Sequence, residues 1–411
     1  MPHETTETSI PRHPQVHVPE EHRAHWGGVF AMSLCVFALI ASEFMPVSLL
    51  TPMAAEFQVT EGMVGQGIAV SGVFAVLTSL SISTVARTLN RKVLLLGLTA
   101  VMAVSGALVA LAPDYPLFMI GRALIGVVIG GFWSMSAATA MRLVPASRVP
   151  RALAIFNGGN ALATVLAAPL GSYLGSVIGW RGAFFCLVPV TLLALVWQWI
   201  SLPSMPVKRT AAAASVFAVF AGLKNRTVAW GMAACGSFFM GQFVLFTYVR
   251  PFLETVTRVD VATVSLVLLI MGAAGFVGTA LVGRFLGKRL YRTLLVIPVL
   301  MSAIAAALVP SGGSVAAVVV LLGLWGLLST AAPVGWWSWI AEAMPHNAEA
   351  GGGLMVAVIQ TSIALGSTLG GVLFDSAGYG STFLVSAAIL AAAAVLAFLT
   401  ARATAGPAGG E

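Results

Sequence analysis

The sequence predicts an all-α membrane protein of twelve transmembrane helices in two pseudo-symmetric six-helix bundles. Composition is the first reason. The chain has 411 residues, 59% hydrophobic and 9% charged, with a mean hydropathy of +0.97. A soluble domain carries roughly a quarter charged residues, so this chain cannot cover its surface with charge and requires lipid as its solvent. Twelve apolar runs long enough to cross a bilayer, at about 20 residues each, are the second reason. An internal repeat with an offset of about 200 residues is the third.

In chain order the runs lie near 26–50, 63–86, 93–112, 117–142, 150–176, 180–200, 228–250, 262–285, 293–310, 315–340, 351–374 and 380–401. Most connections between them are short. The stretch from Ser201 to Arg226, with Pro203, Pro206, Lys208, Arg209, Lys224 and Arg226, is polar enough to divide the chain. The expected organisation is a cytoplasmic, disordered tail over 1–25, a first bundle over 26–200, a linker over 201–227, a second bundle over 228–402 and a tail over 403–411. The first apolar run is long enough to span and follows a polar leader, so no cleavable signal is expected.

The halves read as copies. Arg87-x-Leu89-x-Arg91-Lys92 after helix 2 returns as Arg284-x-Leu286-x-Lys288-Arg289 after helix 8. Gly131-Phe132-Trp133-Ser134 in helix 4 returns as Gly335-Trp336-Trp337-Ser338 in helix 10. Gly171, Leu174, Gly179 and Phe184 return as Gly370, Leu373, Gly378 and Phe383. Parallel repeats of this kind place a solute path at their interface, near the bilayer midplane.

Charge sets the expected orientation. With the N-terminus inside, cytoplasmic segments hold 17 of the 21 basic residues, and the outer side holds only Arg181, Arg250 and Arg258. This bias predicts both termini in the cytoplasm. The net charge of +7 is therefore read as insertion topology, and no nucleic-acid partner is expected. Cys35, Cys186 and Cys235 lie singly in apolar runs and read as packing residues. Five of the six histidines fall in the leader without regular ligand spacing, so no metal site is expected. No Walker loop, zinc signature or nucleophile elbow occurs, which argues against an enzyme, a cofactor or direct ATP drive.

Ionisable residues inside spans are costly and mark function. Glu43 in helix 1 and Arg122 in helix 4 lie at similar expected depths, which makes them candidates for proton coupling. Burial disfavours a charged carboxyl and a nearby guanidinium favours it, a balance that lets an acid bind and release a proton. Gln66, Asn157, Asn160, Gln242 and Gln360 form a set of amide donors and acceptors suited to a neutral, hydrogen-bonding solute. Trp133 and Phe243 are candidates for stacking on a planar group. Trp336, near the inner end of helix 10, reads as a belt or gate residue. Gly126-xxx-Gly130, Gly171-xxx-Gly175 and Gly366-xxx-Gly370 read as close-packing faces, while Pro169 and Pro333 soften their helices.

With these residues in view, the chain resembles the major facilitator superfamily, in its twelve-helix drug:proton antiporter group. Ser42-Glu43-Phe44-Met45-Pro46-Val47-Ser48-Leu49-Leu50-Thr51-Pro52 is similar to helix 1 of the sugar-efflux and nucleoside-efflux branch. Gly121-Arg122-xxx-Gly126 resembles the helix 4 motif linked to proton transfer, and Ala168-Pro169-Leu170-Gly171 the helix 5 motif that seals one end of the path. Gly130–Ser136, Met141–Pro145, Gly241-Gln242-Phe243, Phe246–Pro251, Pro333–Trp336 and Val356–Gln360 resemble bacterial purine ribonucleoside efflux pumps. The resemblance implies a monomeric, multi-pass protein of the bacterial inner membrane that exports inosine or guanosine in exchange for protons. Sugars or amphiphilic drugs are the alternative cargo. It further implies gating roles for Arg91, Pro169 and Trp336. One departure stands out: Asn90 occupies the position before Arg91-Lys92 where the superfamily usually has an acid, which removes the charge of the usual inner-gate ion pair.

Overall fold

A computed structural model describes residues 24–85, 89–145, 148–205, 221–286, 289–344 and 348–404. The leader histidines before position 24, most of the linker, and Arg87, Lys208, Arg209 and Lys288 lie outside the described residues. Every regular element described is helical. In the first half these are α1 (Trp26–Phe44), a 3-10 turn (Met45–Ser48), α2 (Leu50–Phe57), α3 (Glu61–Val85), α4 (Arg91–Leu111), α5 (Tyr115–Arg142) and α6 (Val149–Ser201). The second half contributes a short 3-10 turn (Ala221–Lys224), then α7 (Arg226–Phe246), α8 (Val249–Thr255), α9 (Val261–Leu286), α10 (Leu290–Ser311), α11 (Val315–Ala343) and α12 (Ala348–Thr404).

The two longest helices each contain one break. Gly179 (φ 76°) divides α6 and Gly378 (φ 75°) divides α12, so each provides two crossings joined by a hairpin. That backbone conformation is open essentially to glycine alone. The total is twelve crossings, as the hydropathy pattern predicts, and the chain returns to the face from which it started. We call that the terminal face, and the opposite one the far face.

The repeat is visible in the backbone itself. Gln58 and Arg258, at φ 56° and 57°, turn the chain after α2 and α8. Asp114 caps α5 by accepting from the Leu117 N–H, and Ser314 caps α11 by accepting from the Ala317 N–H. Two symmetry-related helix pairs join the halves: α3 packs on α12 and α6 packs on α9. A Cβ added to Gly72 would lie 2.9 Å from the Gln360 carbonyl oxygen, and one added to Gly272 would lie 2.8 Å from that of Val165. These are backbone-to-backbone contacts of the kind that lets helices associate in lipid.

Two helix boundaries differ from the hydropathy reading, which runs helix 1 to 50 and helix 7 to 250. α1 ends at Phe44 and α7 at Phe246, each followed by a short separate helix. In the first case Pro46 is the cause, because it has no N–H to give the Ser42 carbonyl. Hydropathy is blind to such a break, since the residues on both sides are equally apolar. Glu43 consequently sits near the middle of its crossing, fourteen residues before the end of α2 at Phe57, rather than close to the far surface.

Replacing Gly378 by Val is expected to lower stability by about 1–3 kcal/mol, the cost of a strained backbone conformation. Gly353→Ala, at a helical position with open space around the added carbon, is expected to leave the melting temperature unchanged or raised. Thermal unfolding in detergent micelles checks both.

Candidate functional site at the bundle interface

The site is built on the broken end of α1. A helix interior would pair the Ser42 carbonyl with the N–H of residue 46, but that residue is proline. Arg122 of α5 supplies the missing donor: its Nη1 reaches the Ser42 oxygen at 2.7 Å. Its Nη2 donates to the Glu43 carbonyl at 3.1 Å and to Ser71 Oγ at 3.3 Å, and its Nε to the Gly67 carbonyl at 3.1 Å. Arg122 is only 1% exposed, so one guanidinium ties α1, α3 and α5 together out of reach of water. Its fork of fixed donors suits this task better than a lysine ammonium.

Similar expected depth makes an encounter of Glu43 and Arg122 possible, and in the structure they meet through the Glu43 backbone. The two ion pairs among the described residues are Arg181–Glu56 and Arg250–Glu254, and neither involves Glu43 or Arg122. Arg122 holds the main chain of Glu43, which leaves the carboxyl group to point elsewhere. Glu43 is 4% exposed, and its Oε1 accepts from Nε2 of Gln360, on α12 of the other bundle, at 3.4 Å. Around this contact Phe44 packs on Phe243, with ring centroids 5.7 Å apart, and Phe243 on Phe246 at 5.6 Å. The amide oxygens of Gln242 and Gln360 are both buried without a hydrogen-bond partner. Each costs about 1–3 kcal/mol in that state, and the one on Gln360 belongs to the residue that meets Glu43.

The remaining candidates divide. Gln66 joins the interface, where its Oε1 accepts from Thr368 Oγ1 of α12 at 3.0 Å. Asn157 turns back on its own helix, donating to the Leu153 carbonyl at 2.9 Å, and the main-chain oxygen of Asn160 accepts from Thr164. Trp133 packs edge-on against Phe156 at 6.2 Å within the first bundle. Trp336 is buried in the core of the second bundle, edge-on to Trp339 at 5.9 Å. Pro169 is buried inside α6, and Arg91 opens α4. Asn90 caps α4: its Oδ1 accepts from the N–H groups of Lys92 (2.9 Å) and Met205 (3.1 Å), and its Nδ2 donates to Ser204 Oγ at 2.7 Å.

Toward the far face the halves are clasped by residues that sequence reasoning passed over. Asp375, at the end of the eleventh crossing, accepts from Thr60 Oγ1 at 2.6 Å and from the Gly62 N–H at 3.2 Å. Its carboxylate thus caps the start of α3 in the opposite bundle, where a negative charge is favoured. Arg250 joins this clasp. The charge pattern places it among outer basic residues, yet it is 4% exposed. It pairs with Glu254 at 2.8 Å, donates to the Ser48 carbonyl and reaches Ser172 Oγ at 3.5 Å. The signal available in the sequence was the (i, i+4) Arg250–Glu254 spacing inside a helix-terminal apolar run.

Two bundles of six crossings, a polar contact buried between them and a clasp on one side define a polytopic membrane transporter rather than an enzyme. Residues 32–367 match the Major Facilitator Superfamily, and the chain belongs to that family. It is 67% identical over 390 residues to the Transcription regulatory protein OpdE of Pseudomonas aeruginosa, covering 95% of this chain and 97% of that one. It is 37% identical over 382 residues to the Purine ribonucleoside efflux pump NepI of Salmonella paratyphi B, covering 93% and 96%. Its fold resembles a bacterial homologue of the human lysosomal transporter Spinster, crystallised inward-facing and unoccupied (TM-score 0.72, 13% identity, 92% and 97% covered). It also resembles a mutant of the nucleoside transporter NupG (TM-score 0.74, 12% identity, 92% and 98% covered).

Arg122→Lys is expected to lower stability by roughly 1–3 kcal/mol, the cost of leaving buried carbonyls unpaired. Unfolding in micelles checks it; a melting temperature equal to that of the unaltered protein would show that the fork is dispensable.

Proposed function

We propose that the protein is a proton-coupled antiporter that exports purine ribonucleosides from the cytoplasm by alternating access. It would lie in the bacterial inner membrane as a monomer, with both termini cytoplasmic. The observation that carries the reading is the buried Glu43 carboxyl, held across the bundle interface by Gln360, whose own amide oxygen lacks a donor. A purine nucleoside offers what that site lacks: N–H and O–H donors for Gln242 and Gln360, and a planar base for Phe44 and Phe243. The Salmonella relative's name points to the same cargo. The excess of basic residues on one side, 17 of 21, supports the orientation.

In this cycle the far-face clasp of Asp375 and Arg250 is closed while nucleoside enters from the cytoplasm. Opening it exposes Glu43 to the outside, where nucleoside leaves and a proton binds. A neutral carboxyl can return through the apolar interface at lower cost than a charged one, and it releases its proton inside. Arg122 contributes by fixing the main chain from which this acid projects. Gln66 and Thr368, Asn157, Asn160 and Trp133 line the approach, and Arg91, Pro169 and Trp336 serve the movement of the gates.

Antiport fixes the sign of the pH dependence. Inside-out vesicles with an acidic lumen should accumulate inosine, and collapsing the gradient should stop them. Glu43→Gln is expected to cut gradient-driven accumulation at least about tenfold while sparing inosine–inosine exchange, since only the proton-linked step is lost. Unchanged pH-driven uptake by this variant sinks the proposal. A competition panel of inosine, arabinose and a lipophilic cation separates cargo classes; competition by the cation alone would replace the nucleoside with an amphiphilic drug.

The name of the Pseudomonas relative favours a second reading, in which this chain influences transcription. Among the described residues there is no soluble domain to contact DNA, so the influence would run through the level of the transported solute. Transcript profiles of a Glu43→Gln strain decide: an unchanged profile alongside lost flux would make the chain a sensor instead.

A further inference from the structure

A cavity of about 330 Å³ opens on the outside of the second bundle, away from the transport interface. It runs between α10, which contributes Leu295, Val299 and Ser302, and the last crossing (379–404), which contributes Ala391, Val395 and Phe398. The one hydroxyl in this lining is already used: Ser302 Oγ donates to the Ala387 carbonyl at 2.8 Å. The groove therefore accepts only an apolar occupant, and it holds far more than a water, whose share of liquid volume is about 30 Å³.

The lining residues recur every three or four positions on both helices, so each forms a stripe along one face. One turn further on, the stripes reach Arg292 and Arg402. The two helix ends are drawn together there, with Tyr291 Oη and Thr404 Oγ1 3.0 Å apart. The Arg402 guanidinium lies 4.6 Å from the centre of the Phe398 ring, over the mouth of the groove. Both arginines are exposed. Neither α10 nor the 379–404 crossing contains an Asp or Glu, and no ion pair among the described residues uses either cation. The internal repeat does not demand them: 199 residues earlier, the spacing of Gly179 and Gly378, stand the uncharged Val93 and Pro203.

An apolar groove ending in two unneutralised cations at the membrane surface complements an amphiphile with an anionic head. We infer that this groove binds an anionic phospholipid of the terminal-face leaflet, with an acyl chain along Leu295–Ser302 and the phosphate between Arg292 and Arg402. Basic pockets at the ends of membrane helices hold such headgroups. The occupant would brace the ninth and twelfth crossings against each other, and this role is independent of the cargo.

The test titrates the full-length protein in detergent with dioleoyl phosphatidylglycerol, dioleoyl phosphatidylcholine and inorganic phosphate. Thermal unfolding and lipid retention in native mass spectrometry are the readouts. Phosphatidylglycerol is expected to bind about 30-fold more tightly than phosphatidylcholine, from the contribution of two basic residues at a membrane surface. The double variant Arg292→Gln/Arg402→Gln should abolish that preference, while Arg292→Lys/Arg402→Lys, which keeps the charge, should retain most of it. Ala391→Trp, which fills the groove and leaves both arginines, should weaken binding of both lipids. Equal binding of the two lipids, a preference that survives the Gln substitutions, or equal stabilisation by phosphate alone would overturn the inference.

Discussion

In a bilayer a polar backbone group has no water to fall back on, and the first crossing breaks that rule by design. Pro46 ends α1 inside the membrane and strands the Ser42 carbonyl, and the turn that follows frees that of Glu43. Arg122 answers both with one guanidinium and spends its remaining donors on Gly67 and Ser71. Its four hydrogen bonds go to three carbonyl oxygens and one hydroxyl, and none to a carboxylate. The carboxyl of Glu43 is thereby left over, and it is this surplus acid that faces the opposite bundle. Break, arginine and acid form one device, in which removing any member exposes a cost in the other two.

The repeat provides the scaffold and its departures provide the chemistry. Backbone features recur faithfully: the left-handed turns at Gln58 and Arg258, the hairpin glycines at 179 and 378, and the close approaches at Gly72 and Gly272. Side chains do not recur around Arg122. The position of α11 that corresponds to Arg122 in α5, measured from their capped starts, is Leu322, which is fully buried. The second half thus has no guanidinium at that position, and the buried Arg250 that follows the break of its seventh crossing is paired with Glu254. Asymmetry of this kind lets one bundle carry the ionisable device while the other presents amides and rings to it.

Both sides of the interface close through the same physics at different strengths. Beside Glu43 the contact is a single long hydrogen bond and ring packing. Toward the far face it includes a carboxylate on a helix start and a buried arginine on a carbonyl. The far-face contacts are charge-assisted and therefore individually stronger, and they lie where separation of the bundles would admit the outside solution.

Apolar run lengths, the polar divide after Ser201 and the repeated motifs determine by themselves the membrane class, the twelve crossings and the two-bundle arrangement. They do so because lipid allows so few ways of satisfying a backbone. Glu43 and Arg122 were legible for a related reason: an ionisable residue in an apolar run is conspicuous. Only the tertiary structure decided what those residues touch. That Arg122 grips main chain and not the acid, that Gln360 rather than Asn157 meets Glu43, and that Arg250 is buried instead of facing water all depend on which helix faces meet. Facing is set by packing across more than 300 residues of sequence, as between Glu43 and Gln360, and neither hydropathy nor charge counting carries that information.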